Sequence, residues 1–591
     1  MNTKKLTWFA TVLMFVFAVV FTSSCKKDFL QVPPGGNPTV DSVFARSSTA
    51  YNAIAGAYFA CLRQGLNWDG RLYAPWTDDQ LAGSQAFWRQ GDNNSGSICN
   101  TAILGSGLSA NAFTSEDMSG YNDNFTCIRK AYLVKENIDK VPDMSAGDKA
   151  IVKAEMQAIV AYRYSQMFIM YGGVPIVSKS FSTGAPNDLP SLAIPRASLK
   201  STLDSIVLWC DRSAAVLPSV WPANSLGRMT KAAALAIKAK TLLYAARPLF
   251  NTATPYMGLG ANNNMICLGS FDAALWTKAL AASEAVIQEA EGPGGLGIIN
   301  TGHPLDDYGT ATSTPSNREV ILAFKQQVSS GSGNGPYNIF NVYGFNYNWQ
   351  ANGSVLATSM LENYYKADGT EQSWPGVGEL APFTEYKRKF LEMEPRFQAD
   401  FNGYEMQAAN NPGDQGWNMS QHLKDVNNFG AGQPTKFYYH AGSRPWFDFP
   451  LFRLAAYYLS SAEAYNESGQ PGQALQRLNK IHERAGLRPI TEMDQTKLRQ
   501  IIHREWATEF MMEKYRLHDL KHWKDPGIDK GIIGGPIRFL TFNNGGDALI
   551  SGNQNYGNSV KYNGYWHVRQ YLNPFPQSEV NKGYLVQNPG Y

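Results

Sequence analysis

Apolar residues recur at intervals of three and four along most of the chain, the spacing that places them on one face of an α-helix. Over residues 49–62, Tyr51, Ile54, Ala55, Tyr58, Phe59 and Leu62 follow it, and Gly65 supplies a stop. Residues 145–171 carry a stripe of Ile151, Ala154, Ala158, Ala161, Ser165 and Phe168, closed by Gly172 and Gly173. The same spacing predicts helices over 199–217, 230–250 and 272–290, the second rich in alanine with Thr230 as its N-cap. Beyond 450 the pattern returns. Leu451, Leu454, Tyr458, Ala462 and Tyr465 form one stripe, Gly469 interrupts it, and Pro471 stands where a first helical turn tolerates proline. Ala474, Leu475, Leu478 and Ile481 then form a second stripe that stops at Gly486. Two helices joined in this way make a hairpin of roughly the 34 residues of a tetratricopeptide unit, although the strict consensus is missing. The predicted fold is mainly α: a tetratricopeptide-like helical-repeat body over about 40–292 and 451–525.

Between these parts, at about 293–450, Gly, Asn, Ser and Pro break the periodicity, and the reading is a large irregular, loop-rich insertion; 526–591 is a C-terminal segment. The stretch "YNIFNVYGFNYNWQANGS" sets Tyr347 and Trp349 among amides. A second loop, "NWDGRLYAPWTDDQLAGSQAFWRQGDN", follows the first helix and places Trp68, Trp76 and Trp88 beside Asp69, Asp78, Asp79 and Arg89. Composition sharpens the point: with 13% aromatic residues, long loops this dense in rings are poor candidates for disorder. An indole face suits the C–H face of a pyranose, and neighbouring Asp, Asn and Arg suit its hydroxyls. Trp76, Asp78, Asp79, Trp88, Arg89, Tyr347 and Trp349 are therefore the candidate ligand-binding residues. The competing use of each ring is as a staple that holds a loop onto the body.

The first residues form a processing signal: Lys4 and Lys5, a nearly continuous apolar run from Leu6 to Phe21, then Thr22, Ser23 and Ser24 before Cys25. The run is short for a membrane span, which needs about 20 apolar residues. Small residues directly before a cysteine resemble a bacterial lipobox, so residues 1–24 read as a lipoprotein signal peptide and Cys25 as the lipid-modified first residue of the mature chain, 25–591. The formal net charge of +3 includes both lysines of this signal, and no cationic cluster remains to bind nucleic acid. Beyond Cys25 the chain has Cys61, Cys99, Cys127, Cys210 and Cys267, an odd number without a CxxC pair. That spacing leaves open whether an exported chain bridges one or two pairs or keeps buried thiols.

Several segments in a shared order carry a resemblance: "SSCKKDFL", "AYRYSQMFIMYGGVPIV", "IPRASLKSTLDSIVLWCDRSAAVLP", "MEPRF", "FRLAAYYLSSAEAYNESGQPGQALQRLNKIHERAGL", "IIHREWATEFMMEKYRLHDLKHW" and "YLNPFPQSEVNKGYLVQNPGY". Over nearly its whole length the chain resembles the SusD/RagB family, surface lipoproteins of Bacteroidetes nutrient uptake. Within the sixth segment Lys514 and His522 stand where the family usually has Gly and Arg. The resemblance implies four tetratricopeptide-like units, a loop-rich ligand site and a lipid-anchored place on the outer-membrane surface. It also implies a SusC-type TonB-dependent transporter as partner and a glycan as ligand, with no catalytic activity and no cofactor. A minority of the family serves peptide uptake, and a surface hydrolase is the alternative from a different class.

Two patterns invite catalytic readings. His518 and His522 have the i, i+4 spacing of zinc ligands on a metalloprotease helix, with Asp519 between them, but that motif requires Glu and a third ligand. Glu505 and Glu509 share a helical face as a glycosidase pair could, yet Arg504 and Arg516 lie near in sequence, which favours charge-paired structural carboxylates. No catalytic residue and no metal ligand are assigned.

Overall fold

Helices form over the five predicted stretches before residue 293, and one more forms where none is predicted: α1 Ser47–Leu62, the unpredicted α2 Tyr121–Asn137, α3 Ala146–Tyr171, α4 Leu199–Ala214, α5 Lys231–Ala246 and α6 Ala274–Glu291. The hydroxyls of Ser145, Ser198 and Thr230 accept from the N–H groups of Asp148, Ser201 and Ala233 at the starts of α3, α4 and α5. Helix α5 stops at Ala246, four residues before the predicted end, because Arg247 precedes Pro248 and takes an extended conformation. Helix α3 ends at Gly172, whose φ is +83° and where a Cβ would lie 2.6 Å from the Met265 carbonyl oxygen, so only glycine fits. This is a computed structural model, and it describes residues 39–62, 77–79, 81–82, 120–181, 193–327, 354–402, 433–434, 436–438, 446–543 and 555–591.

Each helix packs on the next, α2 on α3, α3 on α4, α4 on α5 and α5 on α6. The succession then skips to α10 (Leu454–Glu467), which packs on α6, on α11 (Pro471–His482) and on α12 (Gln495–Glu509). Pro471 is at the first turn of α11, as its position predicts. Helix α3 is the centre: every residue from Ala154 to Tyr171 is buried, well beyond the predicted stripe. Helix α1 buries a different face from the one its aromatics mark. Ala50, Ile54, Ala57 and Cys61 face the core, while Tyr51 and Phe59 are 42% and 59% exposed. Small side chains allow close packing on α2; the rings of Tyr51 and Phe59 are left outside, while Tyr58 is half-buried and its hydroxyl donates to Glu155 at 2.6 Å.

The region 293–450 holds more regular structure than its punctuation suggests, including α7 Pro304–Ser313, α8 Phe383–Glu392 and α9 Pro395–Asp400. Strand β7, Trp446–Arg453, pairs antiparallel with β2, Val320–Gln327. Leu451, expected to open a helical stripe, therefore stands in a strand, and α10 begins only at Leu454; Pro450 has no N–H to give to a helix. Four short strands complete two further pairings: β1 Leu81–Ala82 with β3 Ser354–Val355, and β5 Phe401–Asn402 with β6 Gln433–Pro434. After α13 (Arg516–Trp523), a hairpin of β8 Gly535–Asn543 and β9 Asn555–Gly564 takes up β4 Leu380–Pro382 at its edge. The last residues return to the centre: Asn573 N–H donates to Met170 O at 2.8 Å, and the Asn588 amide donates to Tyr171 O at 3.1 Å.

Candidate functional site

The chain segments that flank the two aromatic loops meet at both ends. Helix α1 ends at Leu62, just before residues 63–76, and β2 ends at Gln327, just before 328–353. There the rings of Phe59 and Phe324 are 5.9 Å apart between centroids, tilted by 52°. At the far ends β1 pairs antiparallel with β3, Leu81 opposite Val355 and Ala82 opposite Ser354. The Ala357 N–H also donates to the Asp78 carbonyl at 2.9 Å. Trp76, Trp88, Arg89, Tyr347 and Trp349 lie outside the described residues, as do Trp68 and Cys25, the expected lipid attachment site.

Asp78 and Asp79 are described, and they face inward. Arg516 donates to both oxygens of Asp78, Nε at 2.6 Å and Nη2 at 2.9 Å, a two-pronged pair in which Asp78 is fully buried. Asp79 accepts from the Met512 N–H at 3.0 Å and from the Thr77 hydroxyl. Burial and the neighbouring Asp78 carboxylate raise the Asp79 carboxyl above its ordinary range. The sequence reading gives these two carboxylates a sugar's hydroxyls; the structure instead commits them to the backbone and guanidinium beneath the loop.

Below this root lies a buried lattice of charge. Arg453 donates to Glu513 through Nε at 2.9 Å and Nη2 at 2.7 Å, and through Nη1 to Glu319 at 2.8 Å and Glu509 at 3.0 Å. Arg484 reaches Glu509 at 2.5 Å, and Arg396 reaches Glu505 at 2.5 Å and Glu394 at 2.8 Å. His482 Nδ1 lies 2.9 Å from Glu505, and Lys436 Nζ lies 2.8 Å from Glu513. Burial opposes ionisation of Glu505, but Arg396 and His482 outweigh it and hold its carboxyl well below the usual range. Burial opposes Glu509 in the same way, and Arg484, Arg453 and Arg396 hold it down. Carboxylates held ionised by several guanidinium groups make poor general acids. Glu505 and Glu509 are thus charge-paired as predicted, but their cations come from α9, β7 and the end of α11. Arg504 and Arg516, their neighbours in sequence, go elsewhere: Arg504 to Glu371 at 2.7 Å, Arg516 to Asp78.

The histidine pair is also interior. His522 sets Nε2 at 3.0 Å from Ile169 O and Nδ1 at 3.3 Å from Tyr244 O, and burial pushes its imidazole down to about 3. His518 is buried and held well below its ordinary value, chiefly by desolvation and then by Lys521. Asp519 between them accepts from Arg247 at 2.6 Å and Tyr244 at 2.5 Å. Among the described residues no group of three His, Cys, Asp or Glu is placed to hold a metal ion. The sequence reading did not find the Arg516 anchor, whose partner is 438 positions away, or the outward face of Phe59, for which no local signal exists.

Two family models match the chain: one described as the SusD family, over residues 318–591, and one described as starch-binding and associating with the outer membrane, over 79–243. A SusD-like protein from Bacteroides fragilis NCTC 9343 superposes with a TM-score of 0.73 at 21% identity, covering 94% of this chain and 100% of its own. A SusD-like carbohydrate binding protein from the same strain gives 0.64 at 18% identity, over 92% of this chain and 99% of its own. A laminarin binding SusD-like protein gives 0.56 at 18%, over 93% and 100%. At these identities the likeness establishes a common fold. No curated protein matches the chain.

Proposed function

The chain belongs to the SusD/RagB family, and from that premise we propose that it is a lipoprotein of the outer-membrane surface, anchored through Cys25, that captures an oligo- or polysaccharide. It hands that glycan to a SusC-type TonB-dependent transporter and does no chemistry on it. The observation that carries the reading is the double contact between the loop roots, Phe59 with Phe324 at one end and β1 with β3 at the other. Loops rooted together can present Trp76, Trp88, Arg89, Tyr347 and Trp349 to one ligand, although more than 250 residues separate the two groups in sequence. Asp78 and Asp79 act on this platform from beneath, by fixing the root on Arg516 and the Met512 backbone. The match to a model described as starch-binding, and the fold shared with a laminarin binding protein, support a glycan as ligand.

Isothermal titration against a panel of soluble polysaccharides and peptides tests this reading. One polysaccharide class is expected to bind. Each of Trp76→Ala and Trp349→Ala then weakens it by about tenfold or less, since one stacked ring contributes on the order of 1 kcal/mol. Circular dichroism and melting temperature should be unchanged. If both variants bind as the parent does, the platform is elsewhere; if both unfold, the rings are staples; if only peptides bind, the ligand class is wrong.

A further inference from the structure

Of the four described cysteines, two meet. Cys61, the next-to-last residue of α1, and Cys127, on α2, are both fully buried. The Cys61 thiol donates to the Cys127 carbonyl at 3.4 Å, and the Cys127 thiol donates to the Ala60 carbonyl, also at 3.4 Å. Each sulfur thus reaches across the helix contact to the main chain at or beside the other cysteine, the approach from which two sulfurs can close on one another. The neighbouring Cys61 thiol pulls Cys127 down to about 7, and the Cys127 thiol, with burial, pushes Cys61 up. Cys210 offers the contrast: burial alone dominates and pushes its thiol up.

The place of the pair in the chain gives it meaning. Helix α1 runs directly into residues 63–119 and α2 follows them, so Cys61 and Cys127 stand on either side of the segment that contains Trp76, Asp78, Asp79, Trp88 and Arg89. We propose that Cys61 and Cys127 form a disulfide after export, a covalent clasp at the base of the first aromatic loop. The proposal rests on the reading above in one respect, that the chain leaves the cytoplasm for a compartment where disulfides persist. The oxidant is the disulfide of an exported thiol oxidoreductase. The Cys127 thiolate attacks one of its sulfurs, forming a mixed disulfide and releasing one thiolate; the Cys61 thiolate then attacks the Cys127 sulfur and releases the second. Two protons and two electrons leave the pair, and the oxidant becomes a dithiol. Because both sulfurs are buried in the folded chain, the exchange takes place on a partly folded one, and burial afterwards shields the bond from reductants.

The test uses full-length protein purified from the envelope of its host. It is denatured without reductant in iodoacetamide, then digested with trypsin and an endoproteinase that cuts after Glu116, so that Cys99 and Cys127 fall in different peptides. Mass spectrometry is expected to find the peptides of Cys61 and Cys127 joined, and Cys210 and Cys267 alkylated. Alkylation of both Cys61 and Cys127, or a cross-link of either one to Cys99 instead, overturns the proposal. As an independent measure, parent that has been unfolded, reduced and refolded under reductant should melt about 3 °C below the untreated parent, while the Cys61→Ala, Cys127→Ala double variant taken through the same cycle should be unmoved; equal responses count against the clasp. Glycan titration on the same preparation separates the two readings. Free thiols with intact glycan binding sink the clasp alone, and a joined pair without glycan binding sinks the functional reading alone.

Discussion

Lys514 adopts φ +67° within the turn between α12 and α13, a conformation that costs an L-residue about 1 kcal/mol and glycine almost nothing. The Gly that the resemblance leads one to expect at this position would be free of that strain, which this chain carries. Lys514→Gly is expected to raise stability by about 1 kcal/mol, read from the urea midpoint, less whatever its ammonium gains 5.6 Å from the Phe449 ring. Met512, at φ +60°, is a different case: its side chain is 2% exposed, so glycine there should destabilise by the lost packing. Asp78→Ala leaves Arg516 buried and unpaired, and should cost on the order of 3–5 kcal/mol. That loss separates the buried anchor from the platform: Trp76→Ala should alter binding without moving the melting temperature, Asp78→Ala should lower both.

At the scale of elements, α13 is docked through a buried imidazole whose charged form burial disfavours. His522 lies between the last turns of α3 and α5, beside Arg247 and Lys521, and burial holds it at about 3 against 6.5 for a free imidazole. As pH falls below 6.5 the unfolded chain takes up a proton that the folded chain refuses, so stability should drop progressively down to about pH 3. Asp400 acts in the opposite sense. Burial raises it from 3.8 to about 7, so its contribution grows as pH falls from 7 towards 4. A His522→Gln variant isolates the first effect, because Asp400 is common to both proteins. The parent's urea midpoint should fall more steeply than the variant's between pH 7 and 5, and parallel curves would show that His522 takes up its proton as readily in the folded state as in the unfolded one.

For the whole molecule, the consequence of the proposed function is attachment. The lysines, apolar run and Cys25 at the start of the chain lead to the expectation that Cys25→Ala leaves the membrane fraction and loses palmitate labelling. Mild detergent should recover the parent together with a TonB-dependent porin of SusC type. Recovery alone in repeated preparations, or labelling that survives the substitution, would contradict the anchored, transporter-bound reading.

The approximate positions of most helices, the cap at Thr230, the stop at Gly172 and the helical-repeat class were determined by the sequence alone, because each depends on residues within about one or two helical turns of one another. Register between distant segments is not of that kind. Whether α1 would bury its aromatics or its alanines depended on how closely α2 approached, and Leu451 entered a strand because β2 offered it a partner. The same holds for charge. Local sequence could say that Glu505 and Glu509 needed cations, since ionised groups do not stay buried unpaired. It could not say that Arg396, Arg453 and Arg484 would supply them while Arg516 crossed to Asp78. Such a choice among several arginines is made by the distances that remain once the helices have packed, and only the tertiary structure contains those distances.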